Sequence, residues 1–294
     1  MAGGAGDGMA HIQGDAQRLD RPGPRPEKTS SLRAHLAARR YLFLSALLFV
    51  AIIAFWHLLP TSGLIHQIIL PTPGAIAAVF PEVVGHALFL SHFSFTLFSI
   101  LVGFILGSGI GFAMGVLFAF SELWRKTLYP YVMGFQSTPR VILAPLMIAW
   151  FGFGPESKIA QAVVGCFFPV FLNTLVGLSL VEENALKLMR SLRATPWQTF
   201  RMLRFPYAMP TIFAGLKVSL TFATIGVIVA EFVATEYGLG YELTRYHVEL
   251  AIPQMYAIII IIGLLGLALY LAIEWLDRKI VFWRAEDAEM SKLR

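Results

Sequence analysis

The sequence predicts an all-α membrane protein that crosses the bilayer six times, and three observations carry that expectation. Hydrophobic residues make up 57% of the 294-residue chain and charged residues only 14%, against about 25% charge in soluble domains. The apolar excess (mean hydropathy +0.68) is gathered in blocks long enough to span a bilayer. The 23 Lys and Arg are also segregated. Apart from Arg140, Lys158, Lys217 and Arg245, they lie before Tyr41, at Arg125 and Lys126, between Lys187 and Arg204, or after Leu276. That segregation puts those four segments and both termini on the cytoplasmic side. The net charge of +5 follows membrane topology and gives no ground for a nucleic-acid partner.

Residues 1–40 are rich in Gly, Pro and Arg without an apolar period and are expected to form a disordered cytoplasmic tail. The membrane domain is expected over 41–284, followed by a short cytoplasmic tail, 285–294. Its first span, Tyr41 to Leu59, starts beside Arg39 and Arg40. No Lys or Arg follows until Arg125. Within that gap Leu70-Pro71-Thr72-Pro73 breaks the chain, and Thr72 with Pro73 can start a short helix towards Val84 near the outer surface.

The second span, Ser94 to Phe120, carries Gly103, Gly107, Gly111 and Gly115 at four-residue spacing on one face. Small residues in a stripe let another helix approach closely, a usual packing device between membrane helices. The third span, Leu128 to Phe151, is interrupted by Pro139 and Pro145, with Arg140 beside the first. A cation at membrane depth costs several kcal/mol unless it faces protein, water or an interface. The polar stretch Gln136-Ser137-Thr138-Pro139-Arg140 is therefore expected to line an internal cavity, with snorkelling of Arg140 as the plainer alternative.

A short outer loop with Glu156 and Lys158 precedes the fourth span, Ile159 to Leu180. Cys166 lies inside it as a small buried hydrophobe; a lone cysteine allows neither an intrachain disulfide nor a Cys-based metal cluster. The fifth span, Thr211 to Val233, has Lys217 near its inner end, where it can snorkel, and Glu231 at its outer end. Gly238-Leu239-Gly240 marks a turn, and Met255 to Trp275 makes the sixth span.

Between the fourth and fifth spans, Val181 to Pro210 is the most strongly basic internal segment, with 182–206 as its core. Leu188, Leu192, Phe200 and Leu203 recur at helical spacing, as in an amphipathic helix or a pair of short ones. Asn184 is a candidate cap for the first, and Thr195 before Pro196 for the second. Pro206 and Pro210 are expected to break the pattern. Composition alone also allows a helix lying on lipid headgroups.

Enzyme chemistry finds no converging polar set. The histidines are scattered, with no pairs at membrane depth for a b-type haem, and no G-x-x-x-x-G-K-[ST] loop is present. Glu231 is the one candidate for the buried carboxylate of a coupled carrier; the alternative is an outer-rim group facing water.

From Arg193, nine residues lead to Leu203, and the segment closes on Phe205-Pro206. This resembles the cytoplasmic-loop signature of binding-protein-dependent ABC importer permeases: an acidic-Ala-Ala start, a Gly, nine residues, then Ile-x-Leu-Pro. The start falls on Lys187-Leu188-Met189 and the Gly on Arg193. A left-handed turn would cost Arg about 1 kcal/mol relative to Gly; either the turn is built differently or Ala194-Thr195 carries it. LPTP, WFGFG, the passage from Phe205-Pro206 to Ala214-Gly215-Leu216-Lys217, and Gly238-Leu239-Gly240 are similar to the same family, in its nitrate, sulfonate, taurine and thiamine-precursor branch. Residues 205–232 look nearer its pyrimidine and riboflavin members.

The resemblance, over roughly Gln67 to Arg284, implies a type I importer permease in the bacterial inner membrane. It implies two copies of the permease, two cytoplasmic ATPase subunits that use ATP and Mg, and an extracytoplasmic binding protein. This chain itself would bind no cofactor, and its only other partner would be lipid. Leu192, Arg193, Ala194, Thr195, Trp197, Phe205 and Pro206 would contact the ATPase. Ser137, Pro139, Arg140 and Glu231 would line the solute path. A stand-alone secondary transporter or channel is the rival reading; it would be favoured by an inverted repeat, and none is evident.

Overall fold

A computed structural model describes residues 29–233 and 235–283, with side chains from residue 40 onward except Leu42. The expected tail before Thr29 and the residues from Arg284 lie outside the described residues. All the regular structure described is helical. The chain divides into two compact units, one ending at Leu64 and the other starting at Ile65.

The first unit is one helix, α1 (Thr29–Thr61), which already includes the end of the stretch expected to be irregular. Its apolar part, Phe43–Thr61, is long enough to span a bilayer. The helix ends where the Thr61 hydroxyl donates back to His57 O at 2.8 Å, which leaves that carbonyl satisfied as the ladder runs out.

The second unit starts with α2 (Pro73–Gly85), capped as expected: Ala75 N–H donates to Thr72 Oγ1, and Pro73 holds the first position. Helix α3 (Phe89–Phe120) is the second span. Ser121 accepts from Trp124 N–H to start α4 (Glu122–Gln136). After Pro139, a 3₁₀ turn (Arg140–Ile142) leads into α5 (Leu143–Phe151). The two arms meet at 79°. Pro139 has no N–H to continue α4, and it biases the residue before it away from the helical region.

Helix α6 (Pro155–Ser179) forms the centre of this unit, with α3 packed along one side and α9 along another. It begins earlier than expected because Pro155 takes the first helical position after Gly154. Lys158 is consequently not in an outer loop. It is fully buried, and its Nζ donates to Phe153 O at 2.7 Å.

Helices α7 (Glu183–Ser191) and α8 (Pro196–Thr199) form the basic loop. A π turn (Phe200–Arg204) then joins α8 to α9 (Phe205–Val233). Pro206 and Pro210 do not break the chain; residues 196–233 run as one helix of 38 residues. The wider π turn, in which Phe205 N–H reaches Phe200 O, re-phases the backbone just before the first proline. Helices α10 (Leu239–Val248) and α11 (Ile252–Ile280) complete the unit. Among the described residues five helices are long and apolar enough to cross a membrane, or six with the bent α4–α5 pair counted as one span.

The glycine ladder packs on α6. A Cβ at Gly103 would fall 2.4 Å from Ala162 Cβ, at Gly107 2.7 Å from Val163 O, at Gly111 2.5 Å from Phe167 O and at Gly115 2.6 Å from Thr174 Cβ. The two helix backbones approach closely over about three turns. Beyond Gly115 the contact widens into an apolar cluster of Phe118, Phe171 and Leu175, with the Phe118 and Phe171 rings perpendicular at 5.1 Å. Lys217, expected to snorkel, instead pairs with Glu274 and Asp277 of α11. Two carboxylates close by hold its ammonium between helices in preference to the interface.

Candidate functional site

Three groups of residues carry the chemistry. The first is the basic loop. Helix α7 starts at Glu182 without a side-chain cap; Asn184, the expected cap, donates instead to Glu182 Oε1. Its position two residues inside the helix leaves its side chain beyond the first free N–H groups. The helix ends at Arg193, whose φ is +55°. Ala194 N–H donates to Met189 O at 3.0 Å and Arg193 N–H to Arg190 O at 2.9 Å. This is a Schellman closure, so Arg193 itself adopts the left-handed turn, and Ala194-Thr195 does not replace it. Thr195 and Gln198 form a reciprocal capping box, with Gln198 N–H on Thr195 Oγ1 and Thr195 N–H on Gln198 Oε1.

Two locked helix ends therefore sit back to back. Leu192 (68% exposed) and Trp197 (67%) project from them. Arg190, Arg193, Thr195 and Arg201 are exposed around them, and Ala194 is half-buried between. Phe205 and Pro206 face the other way. Both are half-buried, and Phe205 packs on the Leu178–Ala208–Ile212 cluster and edge-on to Phe112. They belong to the root of the loop and not to its outer surface.

The second group is the break in the third span. Gln136, Ser137, Thr138, Pro139, Arg140 and Val141 line one side of a cavity of about 350 Å³; Gln161, Gly165, Phe222, Ile225, Gly226 and Val229 line the other. Arg140 points inward. Its guanidinium lies 4.7 Å from the Phe222 ring and 5.7 Å from Phe168, and Nη1 donates to Gly165 O at 3.2 Å. Gln161 Nε2 donates to Arg140 O at 2.8 Å, which holds the break against α6. Ser137, Pro139 and Arg140 are thus brought together; Glu231 is not among the lining residues.

Glu231 belongs to the third group. It is 1% exposed, and therefore not a rim carboxylate facing water. Thr96 Oγ1 lies 2.9 and 3.0 Å from its two oxygens, and Gly240 N–H donates to Oε2 at 2.9 Å. Leu239 N–H donates in turn to Thr96 Oγ1 at 2.8 Å. A Cβ on Gly238 would fall 2.3 Å from Glu231 Cδ, and Gly238 has φ +111°. The Gly-Leu-Gly string is therefore more than a turn: it is the backbone face on which a buried carboxylate rests.

Beside it, Gly238 N–H donates to His92 Nδ1 at 3.0 Å. Nε2 must then carry the imidazole proton, directed at Glu242 Oε1 at 3.2 Å. Glu242 Oε2 accepts from Arg245 at 2.5 Å. Burial alone would lower the Arg245 guanidinium, but the hydrogen bond and charge of Glu242 hold it above its ordinary value. Sequence reasoning missed His92, Thr96 and Gln161 as site residues. For His92 and Thr96 a signal was available: polar residues one turn apart in an apolar run share a helix face.

Residues 99–282 match the family model described as the binding-protein-dependent transport system inner membrane component. The chain is 31% identical over 255 residues to the putative aliphatic sulfonates transport permease protein SsuC of Bacillus subtilis (strain 168), covering 86% of this chain and 92% of the relative. It is also 31% identical over 242 residues to the formylaminopyrimidine transport permease protein ThiX of Halalkalibacterium halodurans, covering 82% and 96%. Among solved structures, an inward-facing form of the MetNI methionine ABC transporter aligns with TM-score 0.57 and 20% identity over 66% of this chain and 96% of that one; this likeness supports the type I importer permease fold.

The chain belongs to the binding-protein-dependent inner-membrane permease family of ABC importers. It is a multi-pass transport subunit and not an enzyme.

Proposed function

We propose that two copies of this chain form the solute path of an ATP-driven importer. Both termini and the 182–206 loop face the cytoplasm, and the loop docks on a separate ATPase subunit, one per permease. ATP and Mg are used there, this chain binds no cofactor, and a binding protein delivers the solute outside. The observation that carries this reading is the loop itself. Exposed apolar Leu192 and Trp197 stand on two closed helix ends, and the second runs without interruption into a membrane helix. A segment merely resting on lipid has no need of that connection. The relatives named for sulfonates, formylaminopyrimidine and riboflavin support a small organic or oxyanion solute.

Ala194→Glu tests the docking. A carboxylate placed between Leu192 and Trp197 would be buried unpaired in the contact, at a cost of about 3 kcal/mol or more. Membrane insertion should be normal while ATPase co-purification falls about a hundredfold. A cross-linker on Thr195→Cys should reach the ATPase. Full coupled transport by the Glu variant, with cross-links only to lipid, would overturn the docking role.

A further inference from the structure

The cavity at the broken span contains a cation without a counter-ion. Arg140 sits within a helix pair apolar enough to be a membrane span, where an unneutralised charge is unfavourable. Its guanidinium is stacked over Phe222, and one N–H is used on Gly165 O. Among the described residues it makes no other hydrogen bond, and no carboxylate lies within 4 Å of it.

Three other cations set deep in this unit are provided for differently, while half-buried Arg204 stacks on Phe120 as Arg140 stacks on Phe222. Lys217 has Glu274 and Asp277, Arg245 has Glu242 and Glu249, and Lys158 is folded onto Phe153 O. Arg140 faces the cavity at the break. The aromatic faces hold the guanidinium in place without neutralising it, because a ring quadrupole attracts a cation but carries no charge. Its free N–H edges can accept a two-oxygen acceptor in a bidentate pair, which lysine could not match in geometry. Val141, Phe222, Ile225 and Val229 form an apolar part of the wall, beside the polar Gln136, Ser137, Thr138 and Gln161.

Building on the importer reading, we propose that the transported solute carries an oxyanion head, such as a sulfonate or carboxylate, and that Arg140 serves as its counter-ion at the break of the third span. The head sits on the guanidinium edge and the organic remainder lies against the apolar wall. Of the relatives' two kinds of named solute, this points to the sulfonate kind and away from neutral pyrimidines or flavins.

The test uses the full importer, permease with its ATPase and binding protein, in lipid nanodiscs. Thr138→Cys places a thiol on the cavity wall; Cys166 is fully buried, and the parent protein without the new thiol serves as the blank. Maleimide labelling is timed with taurine, hexanesulfonate and succinate as anionic probes, and with uracil and riboflavin as neutral ones. At least one anion should slow labelling by about tenfold or more, the range a charge-assisted hydrogen bond commands. Neutral probes should not. Arg140→Gln should abolish the protection, and Arg140→Lys should retain part of it.

Protection by a neutral probe that survives Arg140→Gln would overturn the proposal, as would a panel in which no anion protects. Should Arg140→Gln fail to assemble, the contrast between anions and neutral probes in the unaltered Arg140 background, together with Arg140→Lys, still decides. The ATPase co-purifies or does not in the same preparations. An assembled, hydrolysing complex that ignores anions would sink the counter-ion assignment and leave the importer reading standing.

Discussion

At the scale of single residues, Arg193 shows a backbone requirement met by an unsuited side chain. The turn after α7 needs a left-handed residue to close its Schellman bonds, and Arg supplies it at φ +55°. Arg193→Gly should therefore relieve about 1 kcal/mol without altering the turn. Urea or thermal titration of the purified permease should show equal or higher stability, with ATPase co-purification retained. A loss of ATPase binding at unchanged stability would mean that the guanidinium itself is a contact. Spacing alone located this residue but could not say whether the turn kept its form, because the answer depended on two backbone bonds. Glu231 is a harder case. Its position near a span end suggested a wet rim, whereas its partners come from Thr96 and Gly240, too far away in sequence for any local pattern to reveal.

At the scale of elements, the contact between α3 and α6 is the best specified. Gly103, Gly107, Gly111 and Gly115 were legible as a packing stripe because their spacing is a local property of one helix. Which helix they meet was not: Ala162, Cys166, Val170 and Thr174 on α6 repeat at the same four-residue spacing, but nothing local to either helix says that the two stripes face each other. Gly111→Leu would drive a side chain into Phe167 O, only 2.5 Å from where its Cβ would begin. Overpacking of this kind costs about 1–3 kcal/mol. The melting temperature in detergent should drop for the isolated chain, before any assembly, because the contact lies within one subunit. Gly109→Leu is the control, since nothing lies within 4 Å of a Cβ there. Equal melting of the two variants would remove the ladder from the list of stabilising features.

At the scale of the whole molecule, the membrane class and span number were legible from hydropathy, which needs no tertiary information. The broken third span was legible too, because Pro139 acts on its own backbone; Pro145, expected to interrupt the span as well, instead sits in the first turn of α5. What escaped was every place where a neighbour overrules local chemistry. Pro206 and Pro210 remain helical beyond a π turn, Lys217 finds two carboxylates, and Lys158 is drawn under cover by an earlier helix start. The charge distribution makes one further commitment. With a thiol from Ser191→Cys, a membrane-impermeant reagent should label inside-out vesicles and leave intact cells unlabelled. Labelling from the outside would reverse the proposed orientation of both termini.

The unbroken helix from Pro196 to Val233 gives the molecule a lever. Its 38 residues measure about 57 Å along the axis at 1.5 Å per residue. One end carries Trp197, exposed on the basic loop; the other carries Glu231, hydrogen-bonded to α3 and to the Gly238–Gly240 segment. A tilt of about 5° around the midpoint would move each tip by roughly 2.5 Å in opposite directions, given that length. A hydrogen bond does not tolerate a displacement of that size. Were the helix to tilt as one rod, the bonds around Glu231, at the tip far from the loop, would not survive the movement.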